Sequence, residues 1–167
     1  MRSRWALFAY VSAVSLLLGS GCGYSTKRPF RTDIRTIHVE MVHSRDFRRE
    51  LEMRLTEALV KRISMDTPYR LASAGRADAM LTAEIIKVDN RSFGNEFDTD
   101  LPREIGTTMV ARYRLKDMRT GEILAERERT VHHAGYIPSV GETFSDAVTR
   151  VVDGLAEQIV ESMETGW

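Results

Sequence analysis

Only one cysteine, Cys22, occurs in the 167-residue chain, so no intramolecular disulfide can staple the fold. Prolines number four and hydrophobic residues reach 43%, a composition that excludes a Pro-rich extended chain and argues against disorder. An excess of one charge is also missing. The 24 Lys and Arg balance 24 Asp and Glu, which removes the basic footprint that nucleic-acid binding requires. Neither a G-x-x-x-x-G-K-[ST] nor a G-x-G-x-x-G phosphate loop occurs, and no serine sits in a G-x-S-x-G elbow. His132 and His133 are neighbours on a predicted strand, point to opposite faces and do not jointly grip one ion. His38 and His43 lack a third partner at a zinc spacing. Glu96, Asp98 and Asp100 alternate as calcium ligands do, but without the central glycine and the remaining ligands of an EF-hand loop, so they read as a solvated acidic loop. Paired carboxylates for glycoside hydrolysis are spaced in three dimensions and stay open among the 24 acids. These absences shift the reading toward a binding protein with no cofactor, no metal and no nucleic-acid partner.

Long apolar runs are equally scarce, with one exception at the start. Residues 5 to 18, WALFAYVSAVSLLL, follow Arg2 and Arg4 and precede Gly19, Ser20 and Gly21, the three regions of a secretory signal. This run of 14 is shorter than the ~20 residues a transmembrane helix needs. Removing residues 1–21 leaves 22 basic and 24 acidic side chains, one domain's worth of chain. Cys22 would then be the first residue, and Leu16 to Cys22 resembles a bacterial lipobox, with Gly19 where such sequences prefer leucine. In that reading the Cys22 thiol carries a diacylglyceryl group and the new amino terminus is acylated. Two or more chains suffice for stable anchoring without a transmembrane helix. Gly23 rather than Asp follows the cysteine, which by resemblance to enteric sorting permits delivery to the outer membrane. An ordinary signal-peptidase site beside an incidental cysteine is the plainer alternative.

Residues 22–33 mix turn formers, basic side chains and Pro29, and read as an extended tether; a single domain is expected over 34–167. Ile37, Val39 and Met41 alternate with polar residues as in a half-buried strand. From Phe47, apolar residues at Leu51, Leu55, Ala58, Leu59 and Ile63 predict an amphipathic helix that Pro68 follows. A short strand near Tyr69 to Ala72 and a turn at Ala74 to Arg76 lead to a strand with Ala79, Leu81, Ala83 and Ile85 on one face. The pair Ile85-Ile86 shifts that parity and predicts a bulge. Residues 90–106 carry little β pattern and read as a long loop. Met109, Ala111, Tyr113 and Leu115 restore the alternation before a hairpin with Gly121 at positive φ. If Met118 faces Glu122, then Arg114 faces Glu126 and Arg112 faces Glu128. The same register places Arg127 and Arg129 on the face of Tyr113 and Ala111, as on an edge strand. Thr143 to Asp146 opens a last helix whose stripe runs Phe144, Val148, Val151, Val152, Leu155, Ile159, Val160 and Met163. The order predicts an α/β two-layer sandwich of the α+β kind. Two amphipathic helices pack on one face of a four- to five-stranded, mostly antiparallel sheet.

With these elements in order, the chain resembles the lipopolysaccharide-assembly lipoprotein family, LptE. The resemblance is carried by Gly21-Cys22-Gly23-Tyr24-Ser25, Ile37-His38-Val39, Leu51 to Leu59, Ala77-Asp78-Ala79 and Thr120-Gly121-Glu122-Ile123-Leu124. It implies a non-enzymatic lipoprotein on the periplasmic face of the outer membrane. Such a protein plugs the β-barrel that inserts lipopolysaccharide (LptD), assists that barrel's folding and binds the glycolipid. Its phosphates would call for exposed arginines, and Arg91, Arg103, Arg127 and Arg129 are the candidates, the first two on the long loop. An adaptor or activator of a periplasmic envelope enzyme is the second reading, and a lipid-anchored hydrolase the third.

Overall fold

In a computed structural model the described residues are 30–45, 49–92 and 104–164. The helices form where apolar residues recur every three or four positions. Helix α1, Arg49–Asp66, buries Leu51, Leu55, Ala58, Leu59 and Ile63, the stripe expected; Phe47 lies outside the described residues. Helix α2, Phe144–Glu161, starts in a capping box in which Thr143 and Asp146 satisfy each other's backbone N–H groups. Its apolar stripe, from Val148 to Val160, is buried throughout. Neither helix is long and apolar enough to cross a membrane.

The sheet has six strands. β1 (Thr36–Val39) and β2 (His43–Ser44) lie one after the other along β4 (Ala79–Ser92), and both run parallel to it. β3 (Arg70–Leu71) is parallel to β1 on its other side. β5 (Ile105–Asp117) and β6 (Ile123–Tyr136) complete an antiparallel meander from β4, in the order β3-β1-β4-β5-β6, which leaves β6 at an edge. The sheet is therefore mixed, not mostly antiparallel as expected. The reason is α1, which carries the chain back across the sheet before β3 and β4 begin, so the strands it joins run the same way. The stretch His43 to Arg45, which breaks the sequence alternation, continues the sheet. Val42 is fully buried across the gap, and its N–H donates to Thr56 Oγ1 on α1 at 3.0 Å.

One side of this sheet receives both helices. Ile37, Leu81, Ile85, Met109, Ala111 and Leu115 are buried there against Leu55, Leu59, Ile63, Val151, Leu155 and Ile159. Each fully buried Leu, Ile, Val or Met side chain among them contributes about 1.5–3 kcal/mol of transfer free energy. Gly154 lets α2 approach β6, because a Cβ there would run into the His132 ring, whose Nδ1 accepts from Gln158 Nε2 at 3.2 Å. Phe30, inside the segment read as tether, is buried and meets Tyr69 edge-on at 5.8 Å.

Three local differences from the sequence reading have physical causes. The strands β4 and β5 extend to Ser92 and back from Ile105, with Arg91 paired to Gly106, so Arg91 stands on a strand rather than on the long loop. Beyond the bulge between Ile85 and Lys87, β4 has no buried residue, and the two-residue period that announces a strand is lost. In the hairpin, Gly121 adopts φ 79° as expected, but Asp117 N–H, not Met118, bonds to Glu122. A register shift at Leu115/Lys116 absorbs one residue. A second shift between Ala111 and Tyr113 sets Thr130 opposite Ala111, so Arg129 does not share that face; Arg127 does oppose Tyr113.

Candidate functional site

With both helices on one side, the other face of β4, β5 and β6 carries polar residues in rows. Strand pairing aligns Thr82, Arg114 and Glu126 in one row, and Glu84 with Arg112 in the next. Arg45, just past β2, donates through Nε to Glu84 Oε1 at 2.8 Å, while Arg112 Nε donates to Glu84 Oε2 at 2.5 Å. Arg112 also reaches Glu128 at 3.7 Å, and Arg114 meets Glu126 at 2.7 Å. An ion-pair ladder thus runs from the end of β2 across β4, β5 and β6 around an open groove of about 380 Å³. Further along the same strands come Lys87 beside Val110 and Val131, then Asp89 with Thr108 and His133, then Arg91 with Gly106 and Gly135.

Hydrogen bonding favours the ionised form of three acids on this face. The Arg45 guanidinium, with Arg112 beside it, holds the Glu84 carboxyl below its ordinary range despite partial burial. Glu126 is lowered by Arg114 and Asp89 by Lys87. Carboxylates held ionised in this way are poor general acids at neutral pH. Among the described residues no group of three or more His, Cys, Asp or Glu is placed to hold a metal. The face offers paired charge and hydrogen-bonding groups, which suits a hydrated surface.

The four arginines nominated from sequence are not one cluster. Arg91 sits at the far end of β4, 3.6 Å from Asp89. Arg127 lies seven residues along β5 from that row, roughly 23 Å at strand spacing, and lines a hollow beside the end of α2 with Thr130, Gln158 and Glu161. Arg129 is exposed in the β6 bulge. Arg103 and Cys22 lie outside the described residues. The pairs Arg112–Glu128 and Arg114–Glu126 follow from hairpin spacing, but Arg45 and Glu84 do not. Their meeting depends on β2 lying parallel to β4, and a two-residue strand leaves no periodic signal.

No curated protein matches the chain. Among solved structures, a hypothetical protein of Chlamydia trachomatis is similar at 14% identity with a TM-score of 0.52, over 76% of this chain and 94% of that one. An uncharacterized lipoprotein B of Nitrosomonas europaea is 13% identical with a TM-score of 0.49, over 77% and 81%. The rare lipoprotein B of Shewanella oneidensis is 14% identical with a TM-score of 0.44, over 75% and 92%. The first of these shares the fold. The family model for lipopolysaccharide assembly, LptE, matches residues 34–163, from the buried Ile34 before β1 to the buried Met163 after α2. Since that span takes in every strand and both helices just described, the chain belongs to the LptE family.

Proposed function

We propose that the protein is an outer-membrane lipoprotein, anchored through lipid on Cys22, that seats inside the lipopolysaccharide-inserting β-barrel and binds the glycolipid without a catalytic step. The observation that carries this reading is the uncovered face of the sheet. An apolar face left bare would seek a dry partner, whereas this one is laced with Arg45, Glu84, Arg112, Glu128, Arg114 and Glu126 in matched pairs. Such a surface suits the polar, water-filled interior of a large barrel. Family membership supports the glycolipid as ligand. Arg127 and Arg129 have no ion-pair partner among the described residues and remain able to meet phosphate, as does Arg91 beyond its loose contact with Asp89. Arg103 is the fourth candidate.

Purification from detergent-solubilised outer membrane tests the reading. One large β-barrel should accompany the protein; an envelope enzyme in its place would favour the adaptor, and substrate turnover by the protein alone the hydrolase. Hydrogen bonds between charged groups contribute about 1.5–3 kcal/mol, so replacing a glycolipid-contacting arginine with alanine should weaken binding roughly ten- to a hundredfold. Arg112→Ala, already committed to Glu84, should do much less. If none of Arg91, Arg103, Arg127 and Arg129 matters for affinity at fixed salt, the assignment of these sites is wrong.

A further inference from the structure

β6 is the long open edge of the sheet, since only β5 pairs with it, and β3 at the opposite edge spans two residues. The strand falls into two unlike parts. Up to and within its bulge stand Glu126, Arg127, Glu128 and Arg129, and charge together with a bulge is what keeps an edge from pairing. From Thr130 to Tyr136 neither defence is present. Those residues carry no formal charge with the histidines neutral, and they keep an unbroken register with Ala111 to Ile105 of β5. Among the described residues one side chain reaches their backbone, Arg150, whose Nη2 donates to Gly135 O at 2.5 Å. The outward N–H and C=O groups of such a stretch are matched by another extended chain.

The stretch is complementary to itself. When two copies run antiparallel about a two-fold axis that crosses the sheet at His133, Val131 faces Gly135 of the second copy, His132 faces Ala134 and Thr130 faces Tyr136. Larger side chains thus meet smaller ones, and no like formal charges are opposed. One step further the ladder has nothing to continue it. Arg129 in the bulge would face Ile137, whose N–H already donates to Glu142 at 2.8 Å, and Glu128 would face Pro138, which has no N–H. Helix α2 obeys the same axis. Arg150 reaches Gly135, Gly154 abuts the His132 ring and Gln158 bonds it, so the axis at His133 passes beside Gly154. Arg150 and Gln158 stand four residues either side of that glycine, and the two-fold sets each Arg150 level with an uncharged amide of the second copy.

We propose that residues 130–136 of β6 pair with the same residues of a second copy, joining two sheets into one with all the helices on the same side. A ribbon this short is a small interface, so association in the micromolar range is expected. The inference stands independently of barrel plugging.

Oxidative cross-linking of the purified protein in detergent tests it, with the parent, whose only cysteine is Cys22, as background. His133 is exposed, and His133→Cys puts a thiol on the axis. Directly opposed strand residues have Cα atoms about 4.5–5.5 Å apart, within the span of a disulfide, so a covalent dimer that reductant releases should form. Val131→Cys, on the same face, should not exceed the parent, because its two thiols would stand four residues apart along the strands, roughly 13 Å. Sedimentation equilibrium gives a second measurement. The protein should show a monomer–dimer equilibrium, which His133→Glu, by opposing like charges, should weaken roughly fivefold. Equal cross-linking at residues 131 and 133, a dimer indifferent to His133→Glu, or a monomer at every concentration would overturn the proposal.

Discussion

Asp117 and Asp78 show how single carboxylates tie the strands together. Asp117 accepts from the N–H groups of Arg119 and Thr120 at 2.7 and 3.1 Å, closing the hairpin. Asp78 accepts from Arg35 N, Thr36 N and Thr36 Oγ1, joining the start of β1 to the start of β4. Those backbone donors lower both acids below their ordinary value. A carboxyl whose folded value is depressed stabilises the fold fully above its unfolded value, about 3.9, and loses that contribution as pH falls through the folded value. Urea unfolding of Asp117→Asn between pH 7 and pH 2 should therefore show lower stability at neutral pH and a shallower acid limb than the parent. An identical acid limb would show that the carboxylate charge contributes nothing. At this scale the sequence is legible where partners are close in the chain. Arg114 and Glu126 could be matched by counting from the turn, but Arg45 and Glu84 are 39 residues apart and meet only through a parallel crossover.

Both helices could be read directly, since one stripe of each faces a core and the period of 3.6 is visible in the residues. The strands were readable only where a helix covers them. Ala79 to Ile85 alternate because α1 and α2 demand an apolar side, whereas Asn90 to Ser92 have no such demand and look like a loop. Direction left no mark at all, because a parallel and an antiparallel strand show the same alternation. The contact between α2 and β6 gives a test of packing. Alanine ordinarily improves a helix over glycine by about 1 kcal/mol, yet Gly154→Ala should destabilise by roughly 1–3 kcal/mol because the added methyl collides with His132. In a His132→Ala background the sign should reverse, and a double-mutant cycle from chemical denaturation measures the coupling. Equal effects in both backgrounds would place the collision elsewhere.

For the whole molecule the first requirement is where it is held. The signal-like start and Cys22 predict a mature amino terminus at residue 22 carrying lipid on the thiol and acyl on the amine. Mass spectrometry of that terminus decides it: an unmodified thiol, or cleavage at another bond, would remove the anchor from the proposal. Cys22→Ser should release the protein from the membrane while leaving its thermal unfolding unchanged, since among the described residues the buried core runs from Phe30 to Met163. Family membership was legible from the order of elements, but the charged ladder on the uncovered face required the strands to be laid side by side.

The parallel seam between β1 and β4 also governs when the fold can close. Ile37 pairs with Ala79 and Val39 with Leu81, so a chain threaded amino terminus first presents β1 and α1 before their partner has emerged. The meander from β4 to β6 needs only sequence neighbours and can assemble quickly, whereas the seam must wait for a loop of some forty residues to close around α1. Until the sheet and then α2 are in place, the apolar face of α1 is only partly covered, a window in which holdase chaperones would have their longest grip on the chain.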